Sequence, residues 1–286
     1  LIQQTDQVLC IVNSRKDAIT LFDMVNDPQA LHLSTLMCPA HRKQVLSEIK
    51  NRLDAGKPCK LISTQVVEAG VDLDFPVVFR AVAPLDRIVQ AAGRCNREGR
   101  LSLGKVVVFQ PKDEHKPLGT YRTAMAEARR ILHTQNPNLH DPVIFEHYFQ
   151  SLWQNCNLDA YDIQQLRKRL DYPEVDERFR MIRNATVPVV VRYGEPGPDE
   201  LIAKLRAGNH ASKDDWRKIQ QYTVGIYQHE LRQFLTEGLV EPIIEGLYEW
   251  VGSYDELRGI SCDFTDPADL IARKEEMLWV SRRRCR

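Results

Sequence analysis

The sequence predicts an α/β protein: a parallel sheet with helices on both faces, then a helical linker, then a smaller mixed α/β accessory domain. Three observations carry that expectation. Short apolar runs alternate with helix-period segments between residues 7 and 109, the pattern a parallel sheet requires, because each strand needs a crossover to return the chain. Beyond residue 111 helical periodicity interrupted by prolines takes over. From residue 187 short strands return, mixed with short helices. The expected boundaries are therefore 1–112, 113–185 and 186–286.

In order, residues 7–12 form an apolar run that ends in Asn13-Ser14, a strand leading into a helix cap. Ala18, Ile19, Phe22 and Val25 then fall at helical spacing within 15–25. Residues 31–37 read as the second strand. Pro39 opens a helix through Leu53, with Val45, Leu46, Ile49 and Leu53 along one side and Gly56 past its end. Strands follow at 60–64 and 77–82, a helix at 86–96 and a last strand at 105–109. In the second region 121–133 and most of 143–183 are helical, broken by Pro137 and Pro142. In the third, 187–193 is a strand, 199–207 and 213–219 are helices, and 222–251 holds short strands separated by glycine and proline. Parallel sheets bind ligands at the carboxyl ends of their strands, where Asn13-Ser14 and Ser63-Thr64 fall.

With 286 residues the chain can bury one large core or two ordinary ones. Its formal charge is zero, so any attraction for nucleic acid must come from local patches. Seven cysteines, at 10, 38, 59, 95, 156, 262 and 285, are scattered without a C-x-x-C pair. That usage points to buried thiols in a reducing compartment, the cytoplasm, and away from a zinc site. No run of about 18 apolar residues is present to span a bilayer. Opening on Leu1 directly before a strand, the chain reads as a piece of something longer.

The chemistry concentrates in two runs. Gln90, Arg94 and Arg97 stand at i, i+4 and i+7, so one helix would point all three the same way, the arginines about 60° apart. Guanidinium forks match phosphate oxygens and stay charged at any working pH. Gly93 leaves room for close approach. Asp72 follows Gly70 in the loop after the third strand, where a carboxylate can accept from a ribose hydroxyl or hold a water. Ser63 and Thr64 are short hydroxyl donors suited to backbone phosphates. The plainer alternatives are a solvated basic helix, a turn aspartate and sheet-edge capping. The first of these leaves Gln90, Gly93 and the glycine-acid loop unexplained.

Ser63-Thr64-Gln65 through Asp72-Leu73-Asp74-Phe75 resembles motif V of superfamily 2 helicases, and Gln90 through Arg97 resembles motif VI. The fuller wording resembles the CRISPR-associated helicase–nuclease of type I interference systems. It comprises Glu68-Ala69-Gly70-Val71-Asp72, Ala83-Pro84-Leu85-Asp86 and Ala92-Gly93-Arg94-Cys95-Asn96-Arg97-Glu98-Gly99. The likeness covers residues 1–110 as the family's second RecA-like domain, the rest matching only in position. It implies that Arg94 and Arg97 meet the phosphates of ATP, Arg97 as arginine finger. Gln90 and Asp72 would link nucleotide state to domain closure, with Gly70 lining the same cleft. Ser63 and Thr64 would hold single-stranded DNA. Asn13-Ser14-Arg15 and His41-Arg42 match two short motifs that add DNA contacts. The resemblance further implies magnesium held with ATP mainly by a first RecA-like domain, nuclease metal ions on a separate domain, and an RNA-guided surveillance complex as partner. A phage-encoded inhibitor is a further partner class, and the expected state is a monomer off the membrane.

This chain carries no G-x-x-x-x-G-K-[ST] loop and no D-E-x-[DH] magnesium motif, so by itself it is expected to be inactive. His140-Asp141 mimics a nuclease dipeptide between two prolines, and His133, His140 and His147 recur every seven residues. The prolines prevent one helix from aligning those histidines, and no metal site is expected. The run Arg282-Arg283-Arg284-Cys285-Arg286 reads as a solvated tail. Two other functions compete: a non-enzymatic module that binds nucleic acid or docks on the surveillance complex, and a cysteine hydrolase using Cys95 or Cys38. The second lacks a base near either cysteine in sequence.

Overall fold

Five strands, β1 (Gln7–Ile11), β2 (Ala30–Leu33), β3 (Cys59–Ser63), β4 (Val77–Ala81) and β5 (Lys105–Phe109), form one sheet in the order β2-β3-β1-β4-β5. Every neighbouring pair is parallel. The structure, a computed structural model, describes residues 2–112, 119–133, 137–179 and 186–260. Helix α1 (Arg15–Val25) starts because the Ser14 hydroxyl accepts from the Asp17 N–H at 2.9 Å, and it stops at Asn26 in the left-handed region. Pro39 occupies the first turn of α2 (Pro39–Asp54). On one sheet face α2, the loop after β3 and helix α3 (Leu85–Ala92) bury Leu9, Ile11, Ile49, Leu61, Val67, Leu73, Phe75 and Ala91 together. On the other, α1 covers Val8, Cys10, Phe79 and Ala81 with Ala18, Phe22 and Val25. With both faces covered, the strands carry nearly continuous apolar runs.

Two elements around the parallel sheet end well before their patterns predict. β2 ends at Leu33 because Ser34 turns the chain: its hydroxyl accepts from the Leu36 N–H at 3.2 Å and its carbonyl from the Met37 N–H at 3.3 Å. α3 ends at Ala92 because the next residues pair with Phe75. The Phe75 N–H donates to the Arg94 carbonyl and the Asn96 N–H to the Phe75 carbonyl, both at 2.9 Å.

The described residues of 1–82, 86–115 and 186–286 pack as one compact unit, and those of 83–85 and 116–185 as a second. The second is helical: α4 (Gly119–Leu132), α5 (Pro142–Asn155), α6 (Ile163–Lys168) and α7 (Tyr172–Arg178). Its buried side chains include Met125, Ala128 and Tyr148, and the Tyr148 hydroxyl accepts from the Leu85 N–H at 3.2 Å. Asp141 caps α5 by accepting from the Val143 N–H at 3.0 Å.

In the first unit a second sheet follows, built from β6 (Thr186–Val190), β7 (Thr223–Tyr227), β8 (Val240–Ile244) and β9 (Leu247–Trp250) in the order β7-β6-β9-β8. Only β6 and β9 run parallel. Helices α8 (Asp199–Arg206) and α9 (Lys213–Gln220) precede β7, and α10 (Gln228–Thr236) follows it directly. The pattern over 222–251 predicts strands only. α10 forms there because Glu230 caps it by accepting from the Tyr227 N–H at 2.9 Å, while Leu231 and Phe234 bury against Val189, Val224 and Trp250.

A short hairpin, β10 (Tyr254–Asp255) with β11 (Gly259–Ile260), straps this sheet onto the parallel one. The Ile260 N–H donates to the Leu36 carbonyl at 3.0 Å, and Arg258 pairs with Asp23 on α1 at 2.5 Å. Beneath it, desolvation pushes the buried His32 of β2 down to about 4, the Leu257 backbone pulling less strongly the other way. His41 is lowered by the same cause. Both rings bind protons more readily in the unfolded chain. Their contribution is therefore intact above about 6.5, the ordinary histidine value, and fades as pH falls towards the folded values. For His32 the loss between pH 6.5 and 4 amounts to about 3 kcal/mol. Urea midpoints should drop across that range, and His32→Phe should remove much of the slope; equal slopes in both proteins would exclude His32 as the source. Among the described residues no helix is long and apolar enough to cross a membrane. The 282–286 run lies outside them.

Candidate functional site

Because β3 and β4 are parallel, the chain must run from the carboxyl end of one to the amino end of the other. It does so through a short 3-10 turn (Gln65–Val67) and the loop carrying Glu68, Gly70, Asp72 and Asp74. Gly70 holds φ +72 with open space around it, a conformation that favours glycine. The turn after α3 locks onto this loop. Arg94 donates from Nε to the Val67 carbonyl at 2.8 Å and from Nη2 to the Glu68 carbonyl at 2.7 Å. The Asp74 carboxylate accepts from the Arg97 backbone N–H at 2.7 Å, and the Arg97 guanidinium meets Asp72 at 2.5 Å.

The predicted single helical face for Gln90, Arg94 and Arg97 is therefore corrected: only Gln90 lies on α3. The two arginines follow it in the turn and do different work. Burial and the nearby Arg97 hold the half-buried Arg94 below its ordinary value, and the Nε and Nη2 side of its guanidinium is taken by two backbone carbonyls. Arg97 is 43% exposed and its partner Asp72 73%. An ion pair so exposed stabilises by about 0–1 kcal/mol, so a phosphate can take the place of Asp72 at little cost. Gln90 is exposed and accepts from Arg87 at 3.4 Å.

The residues expected to touch a strand divide more sharply. Ser14 is spent as the α1 cap. Asn13 donates to the Val82 carbonyl at 2.8 Å, and its backbone carbonyl accepts from Gln65 at 2.9 Å. Three others are not presented to solvent as a strand contact requires. Ser63 is fully buried, donating to the Leu33 and Thr64 carbonyls. Arg15 pairs with the buried Glu230 at 2.5 Å and lies over the Tyr227 ring. His41 is buried under the strap: Nε2–H donates to the Glu256 carbonyl and Nδ1 accepts from the Tyr254 hydroxyl, each at 2.9 Å, while Tyr193 stacks on its face. For Arg15 and His41 the cause is the segments around the second sheet, which the short motifs do not encode; Ser63 is enclosed by the parallel sheet itself. Thr64, at the end of β3, is 3% exposed, and Arg42 is half-buried on α2.

Sequence reasoning missed a buried ion pair behind the site. Arg80 of β4 is wholly buried and meets Glu68 at 2.9 Å, both side chains inaccessible. Its other terminal nitrogen donates to Asn13 Oδ1 at 2.8 Å and the Ala81 carbonyl at 3.0 Å. Arg87 approaches Glu68 at 3.5 Å from the surface. Desolvation raises the Glu68 carboxyl, the two arginines opposing it. Removing one partner of such a pair costs about 3–5 kcal/mol. A lone arginine inside Val77-Val78-Phe79-Arg80-Ala81 was the available signal, since a cation in a buried strand needs an anion.

The donor set suits anionic oxygens. Among the described residues no group of three or more histidine, cysteine, aspartate or glutamate side chains could hold a metal ion. A five-stranded parallel sheet with helices on both faces, followed by a smaller mixed sheet, makes this an α/β protein. The model of the C-terminal part of the CRISPR-associated nuclease/helicase Cas3 family matches residues 4–100. Cas3 of Methanothermobacter thermautotrophicus is 27% identical over 238 residues, 76% of this chain and 29% of that protein. Cas3 of Haloferax volcanii is 51% identical over 80 residues, 26% of this chain and 8% of that protein. Among solved structures, ATP-bound Cas3 of T. fusca superposes with a TM-score of 0.57 at 16% identity, over 87% of this chain and 36% of that one. A chain of a CRISPR RNA-guided surveillance complex in a pre-nicking state gives 0.52 at 15%, over 85% and 37%. These structural likenesses show the fold. Over these stretches the chain is similar to the C-terminal part of Cas3, and it spans less than a third of either curated relative.

Proposed function

We propose that this chain supplies the arginines and part of the strand track of an ATP-dependent single-stranded DNA translocase, which unwinds target DNA and feeds it for degradation in type I CRISPR interference. The observation that carries the reading is the solvent-facing Arg97, held at its backbone by Asp74 and paired, among the described residues, with the exposed Asp72. A cation so placed is available to an anion arriving from outside the domain. Arg97 would meet the triphosphate, and Arg94 keeps the loop that carries Gly70 and Asp72 in register. ATP supplies the anhydride whose hydrolysis drives the cycle. These residues hold no phosphate loop and no magnesium motif, so their part in the cycle would be to bind and orient the nucleotide while those groups come from a partner domain. The ATP-bound relative and the surveillance-complex neighbour support nucleotide and complex as partners.

Asn13 and Thr64, at adjoining strand ends, would contact the strand's phosphates, Thr64 only once the cover over the end of β3 opens, since it is 3% exposed here. In the intact protein, Thr64→Ala should weaken single-strand retention on filters by about threefold to tenfold, the loss of one modest hydrogen bond. Unchanged retention at every salt concentration would remove Thr64 from the track.

A further inference from the structure

We infer that the buried Arg80–Glu68 pair couples occupancy of the strand track to the nucleotide-facing Arg97, an inference that rests on the translocase reading above. Four residues form one continuous polar path. Asn13 Oδ1 accepts from Arg80 Nη1 at 2.8 Å, Arg80 Nη2 lies 2.9 Å from Glu68 Oε1, and the Glu68 carbonyl accepts from Arg94 Nη2 at 2.7 Å. One end is the β1 terminus beside Thr64. The other is the loop whose Asp72 holds Arg97.

A second link runs alongside, Gln65 donating to the Asn13 carbonyl at 2.9 Å from the 3-10 turn that Arg94 clamps. Close-packed interiors do not absorb displacement gradually. A shift of Asn13 on strand binding must therefore carry Arg80 with it or break a buried charge-assisted bond. Stability does not call for this arrangement, because apolar residues of similar volume commonly serve as well as a buried ion pair. Arg87, exposed and 3.5 Å from the second Glu68 oxygen, gives the carboxylate an alternative partner when Arg80 moves. Arg80 and Glu68 are positioning residues: neither reaches solvent, and they act through Asn13 and Arg94.

The test uses the intact protein, comparing wild type with the neutral double variant Arg80→Met/Glu68→Leu and with Glu68→Asp. Glu68→Asp keeps the charge but withdraws the carboxylate by one methylene. ATP turnover without DNA, single-strand affinity and turnover with saturating DNA are measured for each. Both variants should keep unstimulated turnover and strand affinity within about twofold while stimulation by DNA falls by about tenfold, within the usual range of coupling between sites. Stimulation equal to wild type in either folded variant overturns the coupling. So does a fall in all three measurements together, which marks a structural role. A wild-type protein that neither binds single strands nor hydrolyses ATP overturns the translocase reading itself, a result separate from either of these.

Discussion

On the proposed translocase reading, Arg97→Ala in the intact protein should abolish most DNA-stimulated ATP hydrolysis while leaving the fold in place. An arginine finger accelerates phosphoryl transfer by about 10³–10⁵, or roughly 4–7 kcal/mol of transition-state stabilisation, so turnover should fall by that order. Folding should survive, because the lost partnership with Asp72 is exposed and worth at most about 1 kcal/mol. Asp74 also continues to hold residue 97 through its backbone N–H. Arg97→Lys keeps the charge without the planar fork and should restore little. Steady-state turnover with and without single-stranded DNA, alongside a melting curve, decides the matter. Turnover within tenfold of wild type would remove Arg97 from the chemistry.

The second large effect lies in the strap. Gly259 has φ +85, and a Cβ there would stand 2.4 Å from the Leu36 carbonyl oxygen and 2.9 Å from the Met37 nitrogen. Both are backbone atoms, and that carbonyl already accepts from the Ile260 N–H, so neither can withdraw without losing a buried hydrogen bond. Gly259→Ala should cost about 2–4 kcal/mol, combining left-handed strain with overpacking. The melting temperature would fall by about 2–4 °C for each of those. Gly246 is the control: it has φ +78 but nothing within 4 Å of its Cβ position, so Gly246→Ala should lose only about 1 kcal/mol from backbone strain. Similar losses at 246 and 259 would show that the strap is not held by close approach.

Periodicity made the parallel sheet legible: each of its strands, and all three helices between them, falls where the apolar spacing puts it, with ends that shift by a few residues. The shifts have local causes, Ser34 turning the chain after β2 and Phe75 pairing with 94–96 after α3. α10 escaped detection because its nine residues sit between strands and owe their helicity to a Glu230 cap and to burial of Leu231 and Phe234. The glycine-acid loop and the arginine turn were readable as a pair, and they do lock together. Their division of labour was not, since Gln90, Arg94 and Arg97 have helical spacing whether or not the helix continues.

The sequence by itself determined the order of strands and helices, and with it the α/β class, because burying both faces of a sheet writes a period into the chain. It also determined where arginines gather beside the glycine-acid loop. Which polar side chains remain available was decided only by the tertiary structure. Arg94 is spent on two carbonyls, Arg15 on Glu230 and His41 on Tyr254 and Glu256, whereas Arg97 stays in water. The physical reason is that a polar group's role follows from what packs against it, and those partners come from segments up to 215 residues away.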